Sequence, residues 1–438
     1  MNGYYQILMS ESLHLIRSPF KIITLLLFIF AMAYGCKNGY DLFEKQNNEI
    51  NAISKDNKAS INEMIVQYEA IESGDQEKPR RDPTTPYWAI WNTPSYAFKH
   101  PSSMMVFSLG QAEQYGYYKR VTNWSSTFDS DLSEEIANPE RLAIGTLDFN
   151  FVFIYLYPIL MIILLFNIGG LEKDLRFSRL IYLQNITNAK WLFARFSFYF
   201  IITFLLMVGF TSVSALLTGV LKNELPNFIN LLFTILAYIL MWFTIFFFIN
   251  YFGKGSSDQA MKMITIWLAL CIVIPGIVHQ ITSTRYPTNY MTDYLDVSRE
   301  HSNDIFESSA DTLRMILLSS FPNLEHTQFS ADTIMDKSII NRSVSGLVNV
   351  LNKNVAFKIE SLNEDKNEFI KKFNPINPIT AFQNQINSIA GTDYYAYHHY
   401  RRYIQSIIDE KIDLILKDTW NKKVVNKEKY IEYVTKFN

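Results

Sequence analysis

Apolar residues are distributed very unevenly along this chain, and that distribution limits what it can fold into. A short apolar run, Ile22–Gly35, is followed by a long polar stretch. Four further runs are then packed together: Phe149–Gly170, Phe196–Leu221, Phe228–Phe252 and Met263–Ile281. A second long polar stretch closes the sequence. Each clustered run is close to the roughly 20 residues that a helix needs to cross a bilayer. They carry almost no charge, and buried helices of soluble proteins are seldom so long and so apolar. The expectation is an α-helical integral membrane protein with five visible transmembrane helices and two mixed, mainly helical extracytoplasmic domains. Of the 438 residues, 49% are hydrophobic, yet mean hydropathy is only +0.02. The average conceals greasy spans and wet domains, which must be read separately.

Charge gives the orientation. The segment after the second run carries Lys173, Arg176, Arg179, Lys190 and Arg195, and the one after the fourth carries Lys254 and Lys262. Lys222, in the short link between the third and fourth runs, is offset by Glu224. Cytoplasmic loops carry the excess of lysine and arginine, so the two basic segments and the amino terminus should be cytoplasmic. Residues 37–148 and 284–438 then lie outside. Net charge is −2, which gives no sign of nucleic-acid binding. Only Cys36 and Cys271 are present, so no disulfide framework is expected. Residues 20–36 are short for a span, and Lys21 can snorkel to help them reach across. A cleaved signal ending at Ala33-Tyr34-Gly35 fits less well, because Met1–Lys21 is long and polar.

Residues 1–19 read as an amphipathic membrane-surface helix, with Tyr5, Leu8, Met9, Leu13 and Ile16 at helical spacing and Pro19 separating it from the span. Phe43, Ile50, Ile61, Met64, Tyr68 and Ile71 form an apolar stripe on a long helix that rises from the membrane and ends near Gly74. Met104–Leu109 looks strand-like. Asn374-Pro375-Ile376-Asn377-Pro378 marks a break. After Gly391-Thr392-Asp393 comes a long amphipathic helix with Ile404, Ile408, Ile412 and Ile415 on one face, and Arg401, Arg402, Glu410 and Lys411 off it.

The sequence contains no HExxH, GxSxG or paired Cys/His spacing, so no metal ligands, catalytic residues or bound cofactor are expected. The adjacent pair His398-His399 reads as surface histidines. Gly253-Lys254-Gly255-Ser256 lacks the spacing of a phosphate loop and reads as a flexible cytoplasmic turn. Any energy source must therefore sit on another protein. No acidic residue lies within the spans, which disfavours a carboxylate proton relay. Thr211, Ala215 and Gly219 recur at i, i+4, i+8 and should allow close helix packing.

Several segments resemble a bacterial group of type-2 ABC exporter permeases. They are Phe107-Ser108-Leu109-Gly110-Gln111 with Glu113-Gln114-Tyr115 and Tyr117 to Val121; Asn138-Pro139, Leu142, Gly145 and Leu147-Asp148 before the span with Tyr157-Pro158; the acidic Leu171-Glu172-Lys173-Asp174; and Asn377-Pro378 to Gly391-Thr392-Asp393. The resemblance implies a permease subunit in the bacterial inner membrane, paired with a second permease subunit and gripped by a cytoplasmic ABC ATPase dimer. ATP and magnesium would be held by that partner. It also implies a coupling loop at residues 171–195, in which Glu172, Lys173, Asp174, Arg176 and Arg179 meet the ATPase, and an amphipathic amino-terminal helix on membrane lipid. Where such permeases carry Gly-Thr after the acidic motif, Arg176-Phe177 stand here. They usually have six spans, so about 20 further apolar residues are expected beyond Asn438. The competing reading is a non-transport membrane scaffold whose outer domains bind an envelope protein.

Overall fold

The first apolar run and the stripe that follows it form one rod. In the computed structural model, which describes residues 2–129, 131, 146–177, 187–287, 297–332 and 336–437, helix α1 spans Asn2–Ile16. Helix α2 then runs over Pro19–Ser73, 55 residues, or roughly 80 Å at 1.5 Å per residue. Pro19 opens it, at a position whose N–H would have no intrahelical partner. A left-handed Gly74 closes it (φ 83°), at the place the periodicity indicated. The outer helix is thus a direct continuation of the span. In α1, Tyr5, Met9, Leu13 and Ile16 are exposed, whereas Glu11 is buried against the protein.

The clustered runs follow in the expected order as Phe149–Leu165 (α3), Asn188–Leu217 (α5, after the one-turn helix Leu171–Asp174, α4), Leu225–Phe252 (α6) and Ser256–Arg285 (α7). Helices α2, α5, α6 and α7 are long and apolar enough to cross a membrane. Helix α3 is shorter than its apolar run, because residues 166–170 form turns. It lies at the centre of the bundle, with Phe149, Phe153, Tyr157, Met161 and Leu164 fully buried. A helix enclosed by protein need not match the bilayer thickness as a lipid-facing one must.

Two prolines interrupt the regular hydrogen bonding of bundle helices. Pro158 follows a π-helical turn over Val152–Leu156, and Pro275 follows another over Ala269–Val273. A proline inside a helix removes one N–H and frees carbonyls in the preceding turn. In an apolar core those carbonyls need other donors. The Tyr238 hydroxyl donates to Ile154 O, and Trp267 Nε1 donates to Tyr155 O at 3.2 Å.

Opposite ends of the bundle are joined by different groups. At one end, here called basal, Lys21 Nζ reaches Leu164 O (3.1 Å) and the Gly169 N–H reaches Asn250 Oδ1 (3.0 Å). At the other, Asn38 Nδ2 reaches Leu147 O (2.8 Å) and the Ser103 N–H reaches Glu224 Oε1 (2.8 Å). The polar segments gather at this second end. Their sheet is a two-stranded antiparallel pair, Tyr96–Phe98 (β1) with Tyr118–Arg120 (β2). The expected strand at Met104–Leu109 is instead a 3-10 helix, Ser103–Phe107. Met104 to Phe107 are all buried, so the run carries no alternation that would specify a strand.

The two polar stretches, expected as separate domains, share their cores. Ala97 and Val121 pack with Leu317, Ile340, Ile404 and Trp420. Tyr68 and Ile90 pack with Ile415, Val425, Tyr430 and Tyr433. From the later stretch, Ala310–Ser320, Lys337–Lys371 (α8), Tyr394–Trp420 (α10) and Lys427–Phe437 (α11) contribute to these cores, whereas Pro378–Ile389 (α9) does not. The Asn374–Pro378 break leads directly into α9, whose Ile379 and Ile386 join the core of the membrane bundle. The Phe382 ring lies 5.2 Å from that of Tyr238. The later polar region is therefore tied to the bundle a second time, well beyond Ile281.

On α10 the four isoleucines are buried as expected. Arg401 and Lys411, expected off that face, are buried too. Arg401 pairs with Glu360 and with Asp131 (3.3 Å). Lys411 Nζ donates to the carbonyls of Val121 (2.7 Å) and Thr93 (3.1 Å). His398 is also buried rather than superficial, with Nδ1 3.2 Å from Glu364, while His399 is exposed. Burial holds the His398 pKa below its ordinary value, against the pull of Glu360.

Candidate functional site

The acidic segment after α3 is built into the basal end by close backbone contact. A Cβ on Gly170 would stand 2.3 Å from Ser256 N and 2.7 Å from Gly255 C. Only glycine lets the two segments meet there. The turn at residues 253–256, expected to be flexible, is thereby held in place. Lys173 Nζ donates to Gly253 O (2.7 Å) and the Ser256 N–H donates to Asp174 Oδ2 (3.1 Å). Hydrogen bonding from Ser256 holds the Asp174 carboxyl below the usual carboxylate range. Asn250 supports the same junction: its Nδ2 donates to Phe246 O (3.0 Å), and its backbone carbonyl accepts from Gln259 Nε2 (3.1 Å).

Glu172 points the other way, toward Arg195 on α5. Arg195 is buried. Its guanidinium pairs with Glu172, with Glu11 of α1 (2.5 Å) and with Ile168 O (2.8 Å). One cation thus ties the amino-terminal helix, the acidic segment and the start of a membrane-length helix together. Glu11 and Arg195 lie 184 residues apart, so sequence reasoning counted Arg195 only in the loop charge and gave Glu11 no role. The available signal was the single acidic residue of the amphipathic amino-terminal helix, a group that needs a cation once it is buried.

Arg176 occupies a left-handed conformation (φ 61°). Its N–H bonds to Lys173 O (3.2 Å), and the Phe177 N–H bonds to Glu172 O (2.9 Å). This is the Schellman closure of a helix, in which the left-handed residue is usually glycine. Leu171, Leu175 and Phe177 are exposed around it, so the segment presents an apolar knob with one basic side chain. Arg179 lies outside the described residues, as do Asn138-Pro139, Leu142 and Gly145.

Segments quoted for the resemblance converge at the opposite end of the bundle. Asn150 Nδ2 donates to Asn387 Oδ1 (2.8 Å) and to Ser108 Oγ (3.1 Å), and the Ser108 hydroxyl donates to Asn387 Oδ1 (2.5 Å). Asp148 accepts from the Leu109 N–H (2.9 Å) and caps α3 through the Phe151 N–H (2.7 Å). The Gln111 N–H bonds to Thr392 O (2.8 Å). These groups join β-proximal loop, central helix and α9 into one polar knot.

The packing stripe is only partly as expected. Thr211 and Ala215 are fully buried. Gly219 lies beyond the end of α5, in a left-handed turn (φ 77°), where a Cβ would meet only Asn223, at 3.9 Å. It terminates the helix and packs against no other. Among the described residues, no group of three histidine, cysteine or acidic side chains could hold a metal.

Four membrane-length apolar helices and a predominantly helical polar body define a helical membrane protein. Comparison with known protein families, with curated proteins and with solved structures gives no match.

Proposed function

We propose that this chain is the membrane-spanning permease subunit of an ATP-driven ABC exporter in a bacterial inner membrane. The basal end faces the cytoplasm and the polar body faces outward. A separate ATPase dimer, with its ATP and magnesium, docks on the knob formed by Leu171, Leu175, Arg176 and Phe177, and two permease subunits share it. The observation that carries this reading is the Arg195 junction. A partner pressing on α4 moves Glu172, and through Arg195 it moves both α5 and the lipid-facing α1. Lys173 and Asp174 pass the same push to α7 through the turn at residues 253–256. Such a charged link adds directional bonds to the packing between these elements, so that displacing one displaces the others. Outside, the polar body would gate cargo or receive an envelope protein.

The test is purification of the full chain in mild detergent from its native host, with identification of the bound chains. An ABC-type ATPase should co-purify and should be lost from the Leu175→Glu/Phe177→Glu variant. Recovery of an envelope protein with no nucleotide hydrolase would favour the scaffold reading and refute this one.

A further inference from the structure

A cavity of about 310 Å³ opens between the end of α8, α9 and the start of α10, and its lining is chemically unusual. Six carboxamides face it: Gln111, Asn367, Asn374, Asn384, Gln385 and Asn387. The charged groups on the wall, Lys371 and Asp393, are of opposite sign, and both are engaged. Lys371 Nζ donates to Tyr395 Oη (2.9 Å), and Asp393 caps α10 by accepting from the Ala396 N–H (3.1 Å). The wall thus carries one charge of each sign and concentrates neither.

A carboxamide donates through nitrogen and accepts through oxygen. Asn387 Oδ1 already accepts from Ser108 and Asn150, and Asn367 Nδ2 donates to Asn363 O; the other amide groups on the wall match a neutral ligand that both donates and accepts. Gln111 provides a second observation. Its Oε1 is buried at the cavity wall and has no donor. A buried acceptor left unpaired is costly; because this one lies just beneath the cavity wall, a small turn of the Gln111 carboxamide brings it to a ligand hydroxyl. Tyr394 and Tyr395, with rings 5.3 Å apart and nearly perpendicular, add apolar surface beside the amides, suited to the C–H face of a ring. The volume lies at the small end of ligand sites, with room for a mono- or disaccharide.

The cavity also has a defined position. The opposite face of α9 lies on the membrane bundle, with Ile379 and Ile386 buried there and Gln383 Oε1 accepting from the Tyr155 hydroxyl (3.1 Å). We propose that this cavity binds a neutral saccharide at the edge of the membrane bundle. This does not rest on the ATPase reading. The sugar could arrive as a free glycan or as a glycolipid headgroup; the recognition chemistry is the same.

The experiment uses the full chain in phosphatidylcholine nanodiscs, since sugar-based detergents would compete. Maltose, cellobiose and N,N′-diacetylchitobiose are titrated by calorimetry. In parallel, nanodiscs containing a diglucosyl diacylglycerol are compared with plain ones for protection of residues 367–395 from hydrogen exchange. At least one saccharide should bind. Asn384→Leu and Gln385→Leu, both on the exposed face of α9, should each weaken it about 3- to 10-fold, as expected for a neutral hydrogen bond. Gln111→Met, which removes the unpaired acceptor at nearly constant volume, should do the same. Binding of the free disaccharides identifies a glycan ligand, and protection by the glycolipid alone identifies a headgroup. The proposal is overturned if neither form binds, if the three variants bind like the parent, or if a neutral tripeptide such as N-acetyl-trialanine amide binds where the sugars do not.

Discussion

Replacing Arg195 by methionine should release α1 from the bundle. The substitution keeps an unbranched stem of similar packing but leaves Glu11, Glu172 and the Ile168 carbonyl without their shared donor. The two carboxylates are not equally affected. The Glu172 side chain is 20% exposed and can rehydrate where it stands, whereas that of Glu11 is 5% exposed. Removing one partner of a buried pair costs about 3–5 kcal/mol. The chain can avoid that cost by lifting Glu11 into water, so the variant should lose α1 docking before it loses its fold. A loss of about 3 kcal/mol would raise the population of the open form on the order of 100-fold. The assay is hydrogen exchange over residues 2–16 in nanodiscs, with exchange in α6 as an internal control. Adding Glu11→Gln to Arg195→Met removes the stranded charge and should recover much of the protection. Exchange in α1 accelerated less than about 3-fold, or equal acceleration in both variants, would refute the reasoning.

Three further outcomes follow from the geometry. Arg176→Gly relieves a left-handed residue that costs about 1–2 kcal/mol when it carries a side chain, so the variant should melt higher in detergent while, on the proposed function, binding the ATPase less tightly. Burial pushes the Lys411 pKa down to about 7, with a smaller contribution from Arg120. Between about pH 7 and 10 the unfolded chain then holds a proton that the folded chain lacks, so stability should rise with pH by up to ~1.4 kcal/mol per unit; Lys411→Met should flatten that rise in denaturation curves taken at pH 7, 8 and 9. Tyr238→Phe removes the donor to the Ile154 carbonyl and should cost about 1–3 kcal/mol, read as lowered thermal stability, unless the π-turn before Pro158 rearranges.

Much of the architecture was legible in the sequence because it depends on local pattern. Apolar length marked α2, α5, α6 and α7 to within several residues; Pro19 and Gly74 marked where α2 begins and ends; and isoleucines at helical spacing marked the buried face of α10. Two readings failed for local reasons, the strand at Met104–Leu109 and the packing role of Gly219; the others involved partners distant in sequence. Arg401 and Lys411 read as lying off the isoleucine face and His398 as a surface histidine, yet each is buried opposite groups contributed by other segments: Glu360, the Val121 carbonyl and Glu364. The same limit separated the polar body into two domains, since nothing local indicates that Val121 will pack against the helices after residue 297. At the basal end, the segment 171–174 was legible as a unit, but the Arg195 junction that holds it was not.

The central claim is that the basal knob docks an ATPase. It is tested most directly by placing a photo-reactive amino acid at Leu175, which is exposed on that knob, and, as a control, at Ser361, which is exposed on the polar body. After irradiation of intact cells, the account predicts an adduct between position 175 and an ABC-type ATPase, and none from position 361. Absence of an ATPase adduct at 175 in a correctly inserted protein, or its appearance at 361, would contradict the account.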